Sequence, residues 1–232
     1  MRRSSTSVAA CAVAATVLAA FAVQPQSARA NTASRLYATG SDVATPRGPL
    51  LLHASPGSDQ ILAQVGSRST FGSATKLAVV GESGDWLGVI SEQLGNRVRG
   101  FVRRGLVSIT HTPLSLEVNR STRTLTVWRL GIRLRRIGVA VGAPTTPTPR
   151  GRFAITDKLR DFWSDYYGCC VLALSGRQTR DTPGWIGGNR LAIHAGTGVG
   201  LATSNGCLRA ATTDMHYLMR LLPVGTQVIV HD

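Results

Sequence analysis

One histidine and one cysteine late in the chain have the chemistry and the setting for nucleophilic catalysis. His194 ends the apolar run 191–193, and Cys207 follows Gly206 in the segment 204–209, after a glycine-rich loop. A cysteine attacks as its thiolate, so it needs a base or a positive environment that lowers its pKa, and a nearby histidine supplies one. A strand end and a loop of this kind would place both side chains on one rim, with Gly206 free to turn N–H groups toward a developing oxyanion.

The same residues do not suit a metal site. Apart from the adjacent Cys169 and Cys170, the cysteines are not spaced in pairs. His194 and Cys207 also lack a third and a fourth neighbour of ligand type. We therefore expect no metal, and covalent catalysis fits this segment better.

The elements that would carry these residues are mostly short β-strands. Apolar or alternating runs of strand length recur in the second half of the chain, separated by turns. One helix is predicted over 213–222, with Asp214 in its first turn and Pro223 after its end. Strands are expected at 114–118, 124–128, 136–142, 153–156, 171–174, 191–193 and 228–230.

A separate β-rich unit is predicted before residue 111. Five short apolar runs alternate with turn signals over about sixty residues, which is typical of a small β-barrel. The runs lie at 50–52, 61–65, 77–80, 86–90 and 98–102. Residues 51–57, 81–89 and 100–102 resemble a bacterial SH3-like domain, a module that binds wall peptides or packs as a spacer beside a wall enzyme.

The first thirty residues have the composition of a secretory signal. A basic start precedes an apolar run of small residues at 8–23, and Ala28 and Ala30 occupy the positions that a signal peptidase reads. Cleavage is expected after Ala30. The run is slightly short for a membrane span, which leaves an uncleaved anchor as the alternative. A lipoprotein box ending at Cys11 is a further alternative. We expect export to the periplasm, the cell wall or the medium.

The chain is thus predicted to have four parts and a mainly β fold. They are a signal peptide at 1–30, a lead-in segment at 31–48, an SH3-like β-barrel at 49–110 and a β-rich domain with one helix at 114–232.

Export changes the interpretation of the cysteines. Without Cys11 the chain keeps three cysteines, so at least one thiol is unpaired. Adjacent cysteines form only a strained disulfide, so Cys169 and Cys170 are expected to be two buried thiols, with a redox switch as the alternative. Cys207 is left to be explained.

The charge of the chain favours polyanionic surroundings. Twenty-four arginines and two lysines face 12 acids, for a net charge of +14, which falls to +11 if residues 1–30 are removed. Anionic wall polymers and lipid head groups are suitable partners. The arginines are dispersed and no zinc-finger spacing or RNP motif is present, so nucleic acid is not expected as a partner.

The segment around His194 and Cys207 resembles the active site of the L,D-transpeptidases. That family's signature is a strand ending Ile-His-Gly, a variable loop, then Ser-His-Gly-Cys and an apolar-Arg pair, which residues 193–196 and 204–209 approach here. The resemblance extends over 114–231 and implies a β-rich catalytic domain. It includes a Thr-Pro-x-Gly-x-Phe element at 147–153 and the closing segment 224–230.

The resemblance implies a role for each residue of the site. Cys207 would be the nucleophile and His194 the general base, oriented by the backbone carbonyl of Ala195. The backbone N–H groups of Gly206 and Cys207 would serve the oxyanion. The residues expected to bind the substrate or to hold the loop are Ser204, Asn205 and Arg209. Trp163, Tyr166 and Tyr167 either edge the cleft or fill the core.

The function implied is cross-linking of peptidoglycan. Cys207 would attack the carbonyl between diaminopimelate and the terminal D-Ala of a stem tetrapeptide, and the amine of another stem would take the thioester in a 3→3 link. No cofactor is needed, and carbapenems are expected to acylate the thiol. Asn205 stands where the family has His and cannot titrate. The alternatives are an L,D-carboxypeptidase and a non-catalytic wall-binding protein with a decayed site.

Overall fold

The computed structural model describes residues 37–160, 165–180 and 188–232. The predicted signal peptide at 1–30, the beginning of the lead-in segment and Trp163 lie outside the described residues. Two β-rich units are present, joined at residue 113, so the prediction of a mainly β fold is confirmed. No helix in the described part of the chain is long and apolar enough to cross a bilayer.

The first unit is a seven-stranded antiparallel sheet, ordered β3-β2-β6-β5-β4-β1-β7. Its strands are β1 Ser41–Pro46, β2 Leu50–His53, β3 Ile61–Val65, β4 Leu77–Ser83, β5 Trp86–Ile90, β6 Gly100–Arg103 and β7 Val107–Thr112. Leu52, Leu87 and Val89 fill its core. All five predicted strands are present, and the SH3-like relationship of the unit stays a prediction.

Two strands of this unit, β1 and β7, have no counterpart in the sequence prediction. β1 lies inside the predicted lead-in segment 31–48, where it pairs with β4 and β7, so the lead-in assignment is wrong from Ser41 onward. Ala44 packs into the core of this unit, while Val43 on the opposite face packs near Gly225 of the second unit, and the strand ends at Pro46. Two apolar residues are too few to form a recognisable run in the sequence. Backbone pairing with a strand on each side holds β1 in the sheet.

The second unit is an eight-stranded sheet, ordered β10-β9-β8-β17-β12-β13-β14-β16, with the pair β11 and β15 beside it. Its strands are β8 Leu114–Asn119, β9 Thr124–Arg129, β10 Ile132–Gly138, β11 Val141–Gly142, β12 Gly151–Arg160, β13 Cys170–Arg177, β14 Arg190–Ala195, β15 Ala202–Ser204, β16 Leu208–Ala210 and β17 Gln227–His231. The predicted strand at 136–142 is divided between β10 and β11, which belong to different sheets.

Strand β12 joins the two halves of the large sheet. Its first four residues pair with β17, and residues 155–160 pair with β13 after a change of register. β13 in turn pairs with β14, so the long strand fixes β14 relative to the rest of the unit.

One α-helix, α1 Thr212–Leu221, covers the sheet beside β13 and β14. Met215, Leu218 and Met219 are buried at helical spacing against the core, and Leu222 is buried just beyond the end of the helix. The helix predicted at 213–222 is therefore confirmed to within one residue. Its packing supports β14, the strand that carries His194, and the neighbouring β13.

The two units are joined by polar contacts as well as by the chain. The Ser41 hydroxyl donates to the Leu114 carbonyl oxygen at 3.0 Å, and the Gln227 side-chain amide donates to the Val79 carbonyl oxygen at 2.9 Å. The carboxylate of Asp157, which is fully buried, accepts from Ser69 and from the backbone N–H of Ser73. These contacts hold the first unit against one side of the second.

Candidate active site

His194 is a buried histidine near the end of β14. Its backbone lies between Val171 of β13 and Arg209 of β16 in the sheet. The Nδ1–H group donates to the Ala195 carbonyl oxygen at 2.8 Å, the carbonyl predicted to orient it. Nε2 is buried and has no hydrogen-bond partner among the described residues. The ring is thus fixed in one tautomer, with the lone pair of Nε2 available as a proton acceptor.

Burial determines the protonation state of this histidine. The pKa of His194 is lowered from 6.5 to about 4, mainly by loss of hydration. The hydrogen bond to the Ala195 carbonyl partly opposes this, and the charge of Arg209 adds to it. At neutral pH the imidazole is therefore uncharged and able to act as a base.

Cys207 lies one residue before β16, beside β14. Its thiol donates a weak hydrogen bond to the Arg190 carbonyl oxygen at 3.9 Å. Burial raises the pKa of the Cys207 thiol, while the backbone N–H of Ala192 and the charge of Arg209 oppose that rise. The resting site thus holds a neutral thiol and a neutral imidazole instead of an ion pair. Its thiolate has to form during the reaction, by transfer of a proton to a base.

The short loop before Cys207 is closed by Ser204. The Ser204 hydroxyl donates to the Cys207 carbonyl oxygen at 2.5 Å and accepts from the Gly206 N–H at 3.1 Å. Gly206 has φ +113°, which favours glycine. Because its N–H is engaged inside the loop here, the oxyanion role of Gly206 stays a prediction. Asn205 is exposed on the cleft side of the same loop.

Three further side chains donate hydrogen bonds to the backbone carbonyls of this loop. The Thr146 hydroxyl donates to the Ser204 carbonyl oxygen at 3.1 Å, and the Thr148 hydroxyl donates to the Gly206 carbonyl oxygen at 2.9 Å. The Gln178 amide donates to the Asn205 carbonyl oxygen at 3.0 Å.

Sequence reasoning missed all three of these positioning residues. Thr148 belongs to the 147–153 element, which was matched to a family pattern with no contact assigned to it. Gln178 carries no sequence signal, because nothing in its neighbourhood indicates that β13 runs under the loop. A Cβ on Gly206 would collide with the Gln178 amide, so the loop and this side chain fit each other closely.

Tyr166 and Tyr167 line the cleft. Of the two positions that the sequence left open for them, the edge of the cleft and the core, the structure shows the first. The ring of Tyr167 lies edge-on to His194, with centroids 4.9 Å apart, and that of Tyr166 lies 5.8 Å away. Burial and the nearby Cys207 raise the pKa of Tyr167 to about 12, so its hydroxyl keeps its proton at neutral pH. Arg209 donates to the Tyr166 hydroxyl at 2.9 Å and so braces this wall.

The site opens into a cleft of about 620 Å³ whose walls come from both units. Cys207, Asn205 and the two tyrosines form one side. Gly95 and Asn96 of the first unit also line the cleft. Asn96 donates to the Arg177 carbonyl oxygen at 2.7 Å and accepts from the Arg177 N–H at 2.9 Å. The first unit is therefore part of the cleft.

A buried ion pair reinforces this junction. The carboxylate of Glu92, in the first unit, pairs with the guanidinium of Arg190 at the beginning of β14. Both side chains are at most 10% exposed. Glu92 also accepts from the backbone N–H of Thr70 at 2.7 Å. Because the backbone carbonyl of Arg190 itself accepts from the Cys207 thiol, the ion pair is linked directly to the position of this cysteine.

Cys169 and Cys170 are joined as a disulfide in the structure, so the prediction of two free buried thiols is wrong. Cys169 lies in the turn before β13, and Cys170 is the first residue of that strand, opposite Arg160 of β12. His216 of α1 brings an imidazole nitrogen within 4.8 Å of the two sulfur atoms. With the sulfur atoms bonded to each other, this group offers no thiolate to a metal.

A buried neutral histidine on β14, with a cysteine just before the paired strand β16 and a cleft that this cysteine lines, is an arrangement suited to covalent acyl transfer. Residues 113–230 match the family model of YkuD, the L,D-transpeptidase catalytic domain. The chain belongs to this family, and the resemblance over 114–231 is confirmed. No curated relative matches the chain.

Several solved structures are similar in fold. An L,D-transpeptidase from Mycobacterium smegmatis is 19% identical, with TM-score 0.42, over 65% of this chain and 69% of that one. An L,D-transpeptidase from Mycobacterium tuberculosis H37Rv is 17% identical, with TM-score 0.44, over 90% of this chain and 86% of that one. The ertapenem-acylated catalytic domain of an E. faecium L,D-transpeptidase is 22% identical, with TM-score 0.38, over 53% of this chain and 100% of that one.

Proposed function

We propose that this chain is an exported peptidoglycan L,D-transpeptidase with Cys207 as its nucleophile. The observation that supports this most directly is the state of His194, whose Nδ1–H is bound to the Ala195 carbonyl while Nε2 is buried without a partner. That nitrogen can accept one proton and hand it on. A buried structural histidine would normally have both ring nitrogens satisfied.

The first half-reaction forms a thioester. As the Cys207 sulfur attacks the carbonyl carbon that precedes the terminal D-Ala, the thiol proton passes to Nε2 of His194. The carbonyl oxygen becomes an oxyanion, which the protonated hydroxyl of Tyr167 and the Cys207 N–H would stabilise. The C–N bond then breaks, and the proton on His194 leaves with the amine of D-Ala.

The second half-reaction transfers the acyl group. The side-chain amine of another stem peptide attacks the thioester carbon, and the neutral imidazole takes the proton that the amine loses. The C–S bond breaks and the thiol is restored, giving a 3→3 link. Water in place of the amine would give an L,D-carboxypeptidase at the same site.

The cleft suits a peptide donor with carboxylates. Arg177 and Arg180 line it together with the amides of Asn96, Asn189 and Asn205. Guanidinium and amide donors recognise carboxylate and peptide oxygens, and the described residues that line the cleft include no acidic side chain to repel them.

Location and wall binding complete the proposal. Export with cleavage after Ala30 would leave a chain that begins at Asn31 and carries a net charge of +11. Such a chain would be retained by anionic polymers of the wall through screened long-range attraction.

The test is acylation and product formation by the full chain and its Cys207→Ala variant. With tetrapeptide muropeptides, the native protein should release D-Ala and form dimers that mass spectrometry detects, and the variant should form none while its thermal unfolding is unchanged. A carbapenem should add its mass to the native protein only. Dimers formed by the Cys207→Ala variant would contradict the proposal, and release of D-Ala without dimers would favour the carboxypeptidase.

A further inference from the structure

The hairpin formed by β9 and β10 exposes aliphatic side chains that a protein surface ordinarily buries. Leu130 is 51% exposed, Ile132 is 67% exposed and Leu134 is 40% exposed. All three fall within five consecutive residues. Such a concentration of exposed aliphatic groups marks a surface that meets another apolar phase.

Arginines alternate with these aliphatic residues. Arg129, Arg133 and Arg136 are exposed, and none of the three forms an ion pair with an acid among the residues that the structure describes. Arg135 differs, because it pairs with Asp214 of α1. Residues 129–136, named here the hairpin edge, are therefore apolar and positively charged at once.

The apolar surface continues onto a neighbouring loop. Val199 is 42% exposed and Leu201 is 55% exposed. The loop is attached to the chain just after the hairpin edge, since Gly200 donates to the Val139 carbonyl oxygen at 3.2 Å. This loop leads from His194 to Ser204, so the surface reaches the margin of the active site.

The N-terminal part of the chain enters the structure at the same place. The carbonyl oxygen of Tyr37 accepts from the Gly131 N–H at 2.9 Å, and the Tyr37 ring stacks on Trp128 at 5.3 Å. The apolar run 8–23 is separated from Tyr37 by the thirteen residues 24–36. An extended segment of that length spans at most about 45 Å. Before cleavage after Ala30, a bilayer that holds the apolar run therefore lies within reach of the hairpin edge; after cleavage, the hairpin edge would have to bind the bilayer by itself.

We propose that the hairpin edge, together with Val199 and Leu201, docks on the surface of a bilayer that contains anionic phospholipid. The arginines would bind the head-group phosphates, and the aliphatic side chains would enter the boundary with the acyl chains. Docking of this surface on a bilayer does not depend on the cross-linking reaction proposed above.

Two other occupants fit the surface less well. A soluble anionic polymer would bind the arginines but would leave the aliphatic side chains in water, so it accounts for only half of the surface. β10 is the end strand of its sheet, which invites pairing with a second copy. In that pairing the arginines of two hairpin edges would face each other, and their repulsion opposes it.

The test is cosedimentation of residues 31–232, which include every described element, with vesicles of phosphatidylcholine containing 30% phosphatidylglycerol. We expect binding at 0.1 M NaCl that weakens in high salt. Replacing Arg129, Arg133 and Arg136 by Gln should weaken it about a hundredfold, since each arginine contributes about a factor of five. The double variant Ile132→Ser, Leu134→Ser should also lose binding, while retaining the native charge.

A matched control separates local from overall charge. Arg47, Arg68 and Arg104 are exposed arginines of the first unit, and changing all three to Gln removes the same charge. We expect this control to bind vesicles within about twofold of the native chain. Equal loss in both arginine variants would overturn the proposal, as would the absence of vesicle binding by the native chain. Purified sacculi serve as the competing ligand. If the protein binds sacculi but not vesicles, and if that binding depends on the arginines but not on Ile132 and Leu134, the surface binds a wall polymer instead of a bilayer.

Discussion

His194 illustrates how burial of a single side chain can set the protonation state of a candidate thiol site. A cysteine that rests as a thiolate is stabilised by a positive charge, most often that of a neighbouring imidazolium, whereas His194 has a pKa of about 4 and is uncharged at neutral pH. The groups around the ring do not reverse this, because Arg209 adds a positive charge and the raised pKa of Tyr167 keeps that hydroxyl uncharged. The proton must therefore move during the attack on the substrate.

This assignment predicts the pH dependence of acylation. His194 is a base only above its own pKa, and the raised pKa of Cys207 keeps the thiol protonated through neutral pH, so both groups are in the reactive state over a broad range. The second-order rate of carbapenem acylation should fall in acid with a midpoint near pH 4 and should stay level from pH 6 to 8. Timed intact-protein mass spectrometry measures it.

Two outcomes would count against a neutral pair. An acid limb near pH 6.5 would mean that His194 is hydrated as in a free peptide. A tenfold rise per pH unit between 6 and 8 would mean that free thiolate alone reacts, with no help from the imidazole.

Among the elements, the loop before Cys207 depends on side chains from other strands. Gln178, which follows β13, has an amide nitrogen that contacts the carbonyl oxygens of Thr146, Pro147 and Asn205. One side chain thus connects the segment 146–147 to the loop 204–206 by hydrogen bonds. Its removal should disturb the position of the sulfur more than the stability of the fold.

Replacing Gln178 by Ala should slow carbapenem acylation about ten- to a hundredfold, because misplacement of a reacting atom by about 1 Å has an effect of that size. The unfolding free energy should fall by only about 1–3 kcal/mol. Gln178→Glu keeps the size but turns a carboxylate toward three carbonyl oxygens, so it should be no faster than Gln178→Ala. Gln93→Ala, at an exposed position of the first unit, is the control. An acylation rate unchanged in Gln178→Ala would refute the positioning role.

For the whole molecule, the junction between the units rests on the pair of Glu92 and Arg190. Replacing Glu92 by Ala leaves a buried guanidinium without its partner and should lower the unfolding free energy by about 3–5 kcal/mol. The double variant Glu92→Ala, Arg190→Met should recover most of that loss, because no charge is then left buried. Urea unfolding of each variant measures these differences.

An exposed pair in the same unit gives the comparison. Glu82 and Arg104 pair at 2.8 Å with about half of each side chain exposed, so Glu82→Ala should cost less than about 1 kcal/mol. If Glu92→Ala costs no more than Glu82→Ala, the units do not depend on the buried pair.

Much of this architecture could be predicted from sequence, and the limits have physical causes. Runs of apolar residues located most strands, and spacing located α1, because both signals are local. His194 and Cys207 were found because strand end, glycine turn and family pattern coincide. β1 was missed because its pairing and not its composition makes it a strand. Gln178 and Glu92 were missed because their partners lie 27 or more residues away in the chain, at Asn205 and Arg190.

The position of β17 in the large sheet has a consequence for how the protein is made. Residues 227–231 lie between β8 and β12, so they join the hairpin of β8 and β9 to the strands that carry the active site. The sheet cannot close until residue 231 has been synthesised, although β8 was made more than a hundred residues earlier. Pairings of such long range form slowly. The second unit should therefore remain unfolded throughout its synthesis, a state in which a chain can still be threaded through a narrow translocation channel.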